Sequence, residues 1–291
     1  MGSPSIGKVT VPEILARKPS GPRIAMLTAY DCQTAAILDE AGVDILLVGD
    51  SLGMVVLGYD NTLPVTQEEM LHHTRAVARG RRRALLVADL PYLSYHISPR
   101  ETVRNSGRFL KEAGADAVKL EGGVRRRKTI EALVGAEIPV MGHIGLTPQS
   151  IRQLGGYRVQ GRDPEKARDL LEDALAVQEA GAFCVVLEGI PEPVAAALTN
   201  RLRIPTIGIG AGRQCDGQVL VTNDLLGMGK DRPPRFVRRY ADLRSEIDRA
   251  TRGFIADIRR GMFPSEKETY GVSESLEADL CEALKAGYGD H

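Results

Sequence analysis

Asp50, Ser51, Asp89, Lys119, Glu121, His143 and Glu188 share one feature: each stands in or just after a short apolar run. Ile45-Leu46-Leu47-Val48 leads to Gly49-Asp50-Ser51, Ala84 to Ala88 leads to Asp89, and Cys184-Val185-Val186-Leu187 leads to Glu188. The run Pro139 to His143 ends in a histidine, and Ala117-Val118-Lys119-Leu120-Glu121 carries a cation and an anion two positions apart. In a strand, side chains alternate faces, so Lys119 and Glu121 point the same way, about 7 Å apart. Burying a charge is costly unless it is paired or bound to a metal. The plain structural reading is a buried Lys119–Glu121 pair that holds its strand in place. Recurrence argues for chemistry instead. Four carboxylates gathered in one place repel one another unless a cation sits among them. Ligands that are all oxygen favour a hard ion, with Mg²⁺ retaining some of its waters and a chelating substrate completing the set.

The elements that would gather these residues are written in a repeated phrase. Glu40-Ala41-Gly42-Val43-Asp44, Glu112-Ala113-Gly114-Ala115-Asp116 and Glu179-Ala180-Gly181-Ala182-Phe183 each precede an apolar run that ends in a carboxylate. Glycine just past a helix is the usual stop, because it tolerates a left-handed backbone. Ile138-Pro139 and Ile204-Pro205 open two more strands that end in glycine-rich turns. Repeated βα units with wholly apolar strands predict a parallel sheet covered by helices. An eight-fold barrel needs about 250 residues, and the chain has 291. All strand C-termini of such a barrel lie on one face, where active sites form, so the polar strand ends would meet in one pocket. The competing reading makes them helix caps and ion pairs across the barrel rim.

Along the chain, Thr10 and Glu13 form a capping pair around Pro12, opening a short helix to about Lys18. The first strand spans Arg23 to Ala29, and Asp31 caps the helix that follows. Thr66 caps a helix from about Gln67 to Arg79, Ser98 opens one to Ala113, and Asp163-Pro164-Glu165 starts one ending near Ala180. Further strands run Val43 to Val48, Pro205 to Ile209 and, weakly, Gln218 to Val221; a helix spans about Glu192 to Asn200. Gly58 to Thr66 and Gly145 to Arg162 are long loops of the kind that act as lids. His72 and His73 are adjacent on a helix, do not share a face, and read as structural. Arg81-Arg82-Arg83 reads as a solvated turn and Arg125 to Lys128 as a solvent face. Arg235 to Arg259 reads as one long charged helix and Ser273 to Ala286 as an amphipathic one, with Met262-Phe263-Pro264-Ser265 breaking them. The domain reading is a single barrel over 1–291, with 1–22 as an N-terminal extension and 232–291 as C-terminal helices.

Composition removes several function classes. Lys plus Arg equals Asp plus Glu at 38 each, which argues against nucleic acid as a main partner, since neutralising phosphates needs a basic surface. Cys32, Cys184, Cys215 and Cys281 are scattered without C-x-x-C spacing, which suits a reducing cytoplasm and no zinc site. No apolar stretch reaches the roughly 20 residues a bilayer requires, and Met1 to Lys8 lacks a signal-peptide pattern. Gly208-Ile209-Gly210-Ala211-Gly212-Arg213 imitates a dinucleotide fingerprint, but Arg213 replaces the third glycine. Asp216-Gly217-Gln218-Val219 then reads as a turn into a strand, so the strand–turn–helix context fails.

Several stretches together resemble one family. They are Val48 to Met54, Leu63-Pro64-Val65-Thr66, Ala88 to Pro91, Val118 to Gly123, His143 to Ser150, Gly155 to Arg162 and Gly208 to Gly212. The chain resembles the ketopantoate hydroxymethyltransferases over roughly Ile24 to Met228. Tyr59, where histidine is expected, and Gly189, where a bulkier residue is common, depart from the pattern. The resemblance implies a (β/α)8 TIM barrel of the phosphoenolpyruvate/pyruvate superfamily with extra C-terminal helices. It implies one Mg²⁺ per subunit and transfer of a hydroxymethyl group from 5,10-methylenetetrahydrofolate to 3-methyl-2-oxobutanoate, the first step toward pantothenate. It places Asp50, Asp89 and Glu121 at metal positions, partly through water. Asp50, Ser51, Asp89 and Lys119 fall at keto-acid positions and Glu188 at the proton acceptor, with His143 the alternative base. It also implies a cytoplasmic homo-oligomer, a decamer built as a pentamer of dimers, acting on small molecules away from nucleic acid and membrane. The residues agree with this: a 2-oxo acid offers carboxylate and ketone oxygens as a chelate, a metal there stabilises an enolate, and a base must remove the proton at C3. Another Mg²⁺-dependent enolate-forming lyase of the same superfamily would keep the acids and lose the folate. A barrel used only for binding would not account for the convergent acids.

Overall fold

The structure, a computed structural model, describes residues 7–18, 20–229 and 233–286. Residues 1–6, part of the stretch read for a targeting signal, and residue 232, the expected start of the C-terminal helices, lie outside them. Eight parallel strands close into a barrel in sequence order: β1 (Ile24–Thr28), β2 (Ile45–Val48), β3 (Leu85–Asp89), β4 (Ala117–Glu121), β5 (Val140–Gly145), β6 (Cys184–Glu188), β7 (Thr206–Ile209) and β8 (Gly217–Leu220). β8 pairs back onto β1, with Ile24 opposite Gly217. The helices between are α1 (Val11–Ala16), α2 (Cys32–Glu40), α3 (Leu52–Val55), α4 (Gln67–Gly80), α5 (Pro99–Ala113), α6 (Arg127–Gly135), α7 (Ile151–Leu154), α8 (Pro164–Glu179), α9 (Glu192–Arg201) and α10 (Thr222–Leu225).

The helix starts follow from their caps. Thr10 and Thr66 each form a full capping box, with Glu13 and Glu69 answering. Asp31, Ser98 and Asp163 accept from the backbone N–H three residues on. Such a cap satisfies a donor the helix leaves open and contributes about 1 kcal/mol.

Alternation along the strands sorts the core into two layers. Leu46, Val48, Leu86, Ala88, Val118, Leu120, Val185 and Leu187 belong to the layer shared with the helices. Ile45, Leu47, Leu85, Val87, Ala117, Met141, Cys184, Val186, Ile207 and Val219 fill the barrel, joined by Val9 and Ile14 from the N-terminal segment. The inward stripe therefore reads apolar from the bottom and turns polar at the top: Leu85, Val87, then Asp89; Ala117, Lys119, Glu121; Met141, then His143; Cys184, Val186, then Glu188. The period of two in each strand delivers the functional groups to the C-terminal mouth.

The bottom of the barrel corrects one expectation. Arg81-Arg82-Arg83 is not a solvated turn: Arg81 pairs with Asp116 and donates to Gly114 O (2.9 Å), while Arg83 donates to Val43 O (2.9 Å) and Asp44 (3.0 Å). The aspartates of the repeated phrase explain why. Asp44 accepts the Ala25 N–H of the neighbouring strand (2.9 Å) and Asp116 accepts that of Leu86 (2.9 Å). Each aspartate ties two strands and needs a cation to compensate its burial. In the third copy Phe183 takes this position and its ring joins the barrel interior instead.

The chain falls into two compact units, residues 1–241 and 242–291. The second holds α11 (Leu243–Arg259) and α12 (Glu274–Ala286), parted by a turn around Phe263-Pro264. The long charged helix expected from Arg235 begins only at Leu243, capped by Asp242. Upstream of it, Tyr240 N–H donates to Leu225 O (2.8 Å) and Val237 N–H to Pro234 O (2.9 Å), bonds that a helix through this segment would not make.

Candidate active site

All seven residues singled out in the sequence come to one mouth. Asp50, Asp89, Lys119, Glu121 and His143 are buried, and Ser51 and Glu188 are half-buried at its edge. Strand register sets the first contacts. Asp89 lies opposite Lys119 and Glu121 opposite His143. Lys119 Nζ reaches Asp89 Oδ1 at 2.9 Å, so the close partner is on the next strand, and the expected pairing with Glu121 is replaced by a wider charge field. Apart from this ion pair, the buried Asp89 Oδ1 has no polar partner among the described residues. Asp89 Oδ2 accepts the Asp50 N–H (3.1 Å) and so draws the β2 end toward β3. That approach requires glycine at position 49, where a Cβ would meet Ser51 Oγ at 2.8 Å and Asp89 Oδ2 at 3.4 Å. Ser51 Oγ lies 2.9 Å from the buried Tyr30 hydroxyl.

His143 stands between three charged groups. Nδ1 is 3.3 Å from Lys119 Nζ and 3.5 Å from Glu121, and Nε2 is 3.2 Å from Glu188 Oε2. Burial, then the Lys119 charge, lowers the imidazole pKa despite Glu188. A neutral ring with its proton on Nε2 fits these neighbours: Nδ1 faces a cation and Nε2 faces a carboxylate. At the end of β5, Gly145 adopts φ +95, and the turn brings Leu146 N–H onto Glu188 O (2.8 Å). A Cβ at Gly145 would lie 2.3 Å from that oxygen.

The electrostatics show a site with more negative charge than its burial tolerates. Burial, followed by the Asp89 charge, pushes the Asp50 carboxyl up to about 7. Burial and Asp50 hold Glu121 well above the ordinary carboxylate range. For Lys119, burial works to lower the pKa, but Asp89, Glu121 and Asp50 outweigh it and keep the ammonium charged. A dication would relieve this excess by replacing protons. Asp50, Asp89 and Glu121 could hold one, and Asp89 Oδ1, whose one neighbour among the described polar groups is the Lys119 ammonium, keeps a lone pair for such a role. Among the described residues no three His, Cys, Asp or Glu side chains are grouped closely enough to grip an ion alone.

Two residues without a sequence signal of their own complete the site. Gln149 bonds to Asp50, Glu121 and Tyr95, and Tyr95 is itself almost wholly buried. Gln149 lies within the His143 to Ser150 stretch, which could have pointed to it; nothing in the sequence marks Tyr95. Beside Glu121 opens a cavity of about 650 Å³, lined among others by Tyr95, His96, Arg126, Gln153 and Gln160. A second cavity, about 570 Å³, lies among Arg17, Arg23 and Cys215 at the N-terminal strand ends, away from the carboxylates. The lid candidates are partly tied down. Tyr59 donates to Glu69 (2.6 Å), and Tyr157 reaches Met54 Sδ across the mouth (3.6 Å). His73 Nδ1 binds Tyr30 O (2.7 Å), in keeping with a structural role. The Gly208 to Arg213 turn leads into β8 and not into a helix.

A profile of the family described as ketopantoate hydroxymethyltransferase matches residues 8–266. The 3-methyl-2-oxobutanoate hydroxymethyltransferase of Syntrophomonas wolfei is 52% identical over 271 residues, covering 93% of this chain and 98% of that one. Among solved structures, phosphoenolpyruvate phosphomutase from Streptomyces platensis subsp. rosaceus superposes with a TM-score of 0.60 at 15% identity, over 96% of this chain and 98% of that one. A 2,3-dimethylmalate lyase, described as a member of the PEP mutase/isocitrate lyase superfamily, gives 0.54 at 16% identity, over 92% and 96%. At such identities these two speak for the shared barrel alone.

Proposed function

The chain belongs to the ketopantoate hydroxymethyltransferase family, and from that membership we propose that it transfers a hydroxymethyl group from 5,10-methylenetetrahydrofolate to 3-methyl-2-oxobutanoate, giving ketopantoate. The observation that carries this reading is the single bonded cluster formed by Asp50, Asp89, Lys119, Glu121, His143 and Glu188 at the barrel mouth. One Mg²⁺ per subunit, held by Asp50, Asp89 and Glu121 partly through water, would supply a Lewis acid for the carboxylate and keto oxygens of the 2-oxo acid.

The chain's own groups do the rest. Lys119, kept protonated by its carboxylate neighbours, binds the keto acid together with Ser51 and compensates the charge that develops on its oxygen when the C3 proton leaves. Ser51 is oriented for this by Tyr30. Glu188 takes the C3 proton. His143 Nε2 lies 3.2 Å from Glu188 Oε2, close enough to limit where that carboxylate sits. His143 is buried beside Glu188 with no hydrogen bond formed between them, and we assign it the role of positioner and Glu188 that of base. The resulting C3 nucleophile bonds to the one-carbon unit, whose two C–N bonds to the folate break; water supplies the hydroxyl oxygen and tetrahydrofolate leaves.

The same reading makes the protein a cytoplasmic homo-oligomer, a decamer by family resemblance, acting on small molecules. No helix among the described residues is long and apolar enough to cross a membrane. Leu276, Leu280 and Leu284 lie exposed at helical spacing on α12, a stripe suited to a second copy of the chain. The test is product analysis with 3-methyl-2-oxobutanoate and Mg²⁺, with and without methylenetetrahydrofolate. Ketopantoate formed only with the folate supports the proposal. Folate-independent cleavage of a longer 2-oxo acid substrate, with no ketopantoate, would favour a lyase.

A further inference from the structure

Gln149 is buried, and every hydrogen-bonding group of its side chain is used. Nε2 donates to Asp50 Oδ2 (2.8 Å) and to Leu90 O (2.9 Å), and Oε1 accepts from the Tyr95 hydroxyl (2.7 Å). Its backbone N–H donates to Glu121 Oε2 (3.0 Å). One residue thus bridges a carboxylate from the end of β2 and a carboxylate from the end of β4. Three charged or carbonyl oxygens face its donors and one hydroxyl faces its acceptor, so only one amide orientation satisfies all four partners. A flipped amide would set Oε1 against the Asp50 carboxylate.

The orientation depends on Tyr95. Its hydroxyl donates to Gln149 and also accepts from the Glu121 N–H (3.3 Å). The chain turns Tyr95 inward at some cost: Leu93 holds φ 69, a left-handed conformation that bulky residues avoid, in the turn where Ser94 N–H bonds Pro91 O (3.1 Å). A strained turn that seats a buried tyrosine on this amide is consistent with the amide's alignment mattering.

We infer that Gln149 is a positioning residue for the metal site, fixing Asp50 and Glu121 relative to each other, and that Tyr95 sets which end of its amide faces Asp50. This rests on the reading that Asp50 and Glu121 hold the divalent ion. Groups that orient metal ligands alter metal affinity when removed, by about 10–100-fold.

The test reads Mn²⁺ binding to the full-length protein by electron paramagnetic resonance, without substrate and well below the melting temperature. Gln149→Met keeps the side-chain length and the backbone bond to Glu121 and deletes the bonds to Asp50, Leu90 O and Tyr95. Its Kd for Mn²⁺ is expected to rise about 10-fold or more. Tyr95→Phe is expected to raise it in the same direction with the fold intact. A purely structural role would lower the melting temperature and leave the Kd of the folded protein unchanged. A Kd within twofold of wild type in Gln149→Met overturns the inference, and should that variant fail to fold, the same result in Tyr95→Phe does so. Absence of saturable Mn²⁺ binding in the wild type would overturn the metal-site reading itself, a separate outcome.

Discussion

Lys119 Nζ lies 2.9 Å from Asp89 Oδ1 across the β3–β4 ladder, with both side chains almost shut off from solvent. Among the described residues this ammonium is the cation seated between Asp50, Asp89 and Glu121. Breaking a buried pair by removing one partner costs about 3–5 kcal/mol, because the other charge is left uncompensated. Lys119→Met is therefore expected to lower the melting temperature of metal-free protein and to abolish turnover. Mg²⁺ should restore stability to the variant more than it stabilises wild type, since a dication replaces the lost positive charge. Calorimetry with and without Mg²⁺ checks this, and an equal loss in both conditions would contradict it.

Removing a carboxylate acts in the opposite sense. Asp50 is pushed toward its neutral form by burial and then by Asp89, and Glu121 by burial and then by Asp50, so the metal-free protein tolerates neutral replacements of these two. Asp50→Ala should stay folded while losing activity on the order of 10³-fold or more; Asp89→Ala should lose activity alike but also lower the melting temperature, because it leaves the buried Lys119 ammonium without its close partner. EDTA should inactivate wild type reversibly. Glu121→Gln should be milder, because an amide oxygen can still accept from the Gln149 N–H and from a metal-bound water. Steady-state rates with metal titration decide it, and full activity in metal-free buffer would end the metal reading.

Most of the barrel was legible because its strands obey a period of two and end in residues of the wrong polarity for a core. Asp89, Lys119, Glu121 and Glu188 announced the mouth in this way. What was not legible depends on chain crossings that no local pattern encodes. Lys119 chose Asp89 over Glu121 because strand register places them opposite each other, and register is a property of two strands. Tyr95 reaches the site from a loop with no periodicity. Arg81 and Arg83 looked like solvated charge because their partners, the half-buried Asp116 and the buried Asp44, are far along the chain at the strand starts. The helix expected from Arg235 failed for the same reason, since Tyr240 is bonded to Leu225.

Those bottom-face aspartates make a pH prediction. Burial raises the Asp116 carboxyl, but hydrogen bonds from Arg81, Lys8 and the Leu86 N–H outweigh it, so its pKa lies below the ordinary value. A depressed folded pKa contributes stability that is fully present above the unfolded value, about 3.9, and is lost as pH falls through the folded one. Asp116→Asn should cost about 2 kcal/mol at neutral pH, and its gap from wild type should close as pH drops below about 4. Asp44, lowered by Arg17, the Ala25 N–H and Arg83 against its burial, should behave likewise. Thermal melts from pH 7 to pH 2 read the gap; one that widens in acid would refute the assignment.

The final prediction separates the base from its positioner. Removal of the C3 proton needs the keto acid, the metal and a base, whereas the folate enters only for the later carbon–carbon bond. Wild type should therefore exchange the C3 proton of 3-methyl-2-oxobutanoate with D₂O when Mg²⁺ is present and folate is absent. Glu188→Gln removes the proposed acceptor and should lose both exchange and synthesis, by about 10²–10⁴-fold. His143→Gln keeps a donor of similar reach toward Glu188 Oε2, now 3.2 Å from Nε2, and removes the imidazole. If His143 only orients Glu188, this variant should retain much of the exchange. NMR of the C3 proton in D₂O measures both. Exchange that survives in Glu188→Gln and vanishes in His143→Gln would transfer the base to His143. Exchange that survives in both while synthesis falls would place these residues at the folate step instead.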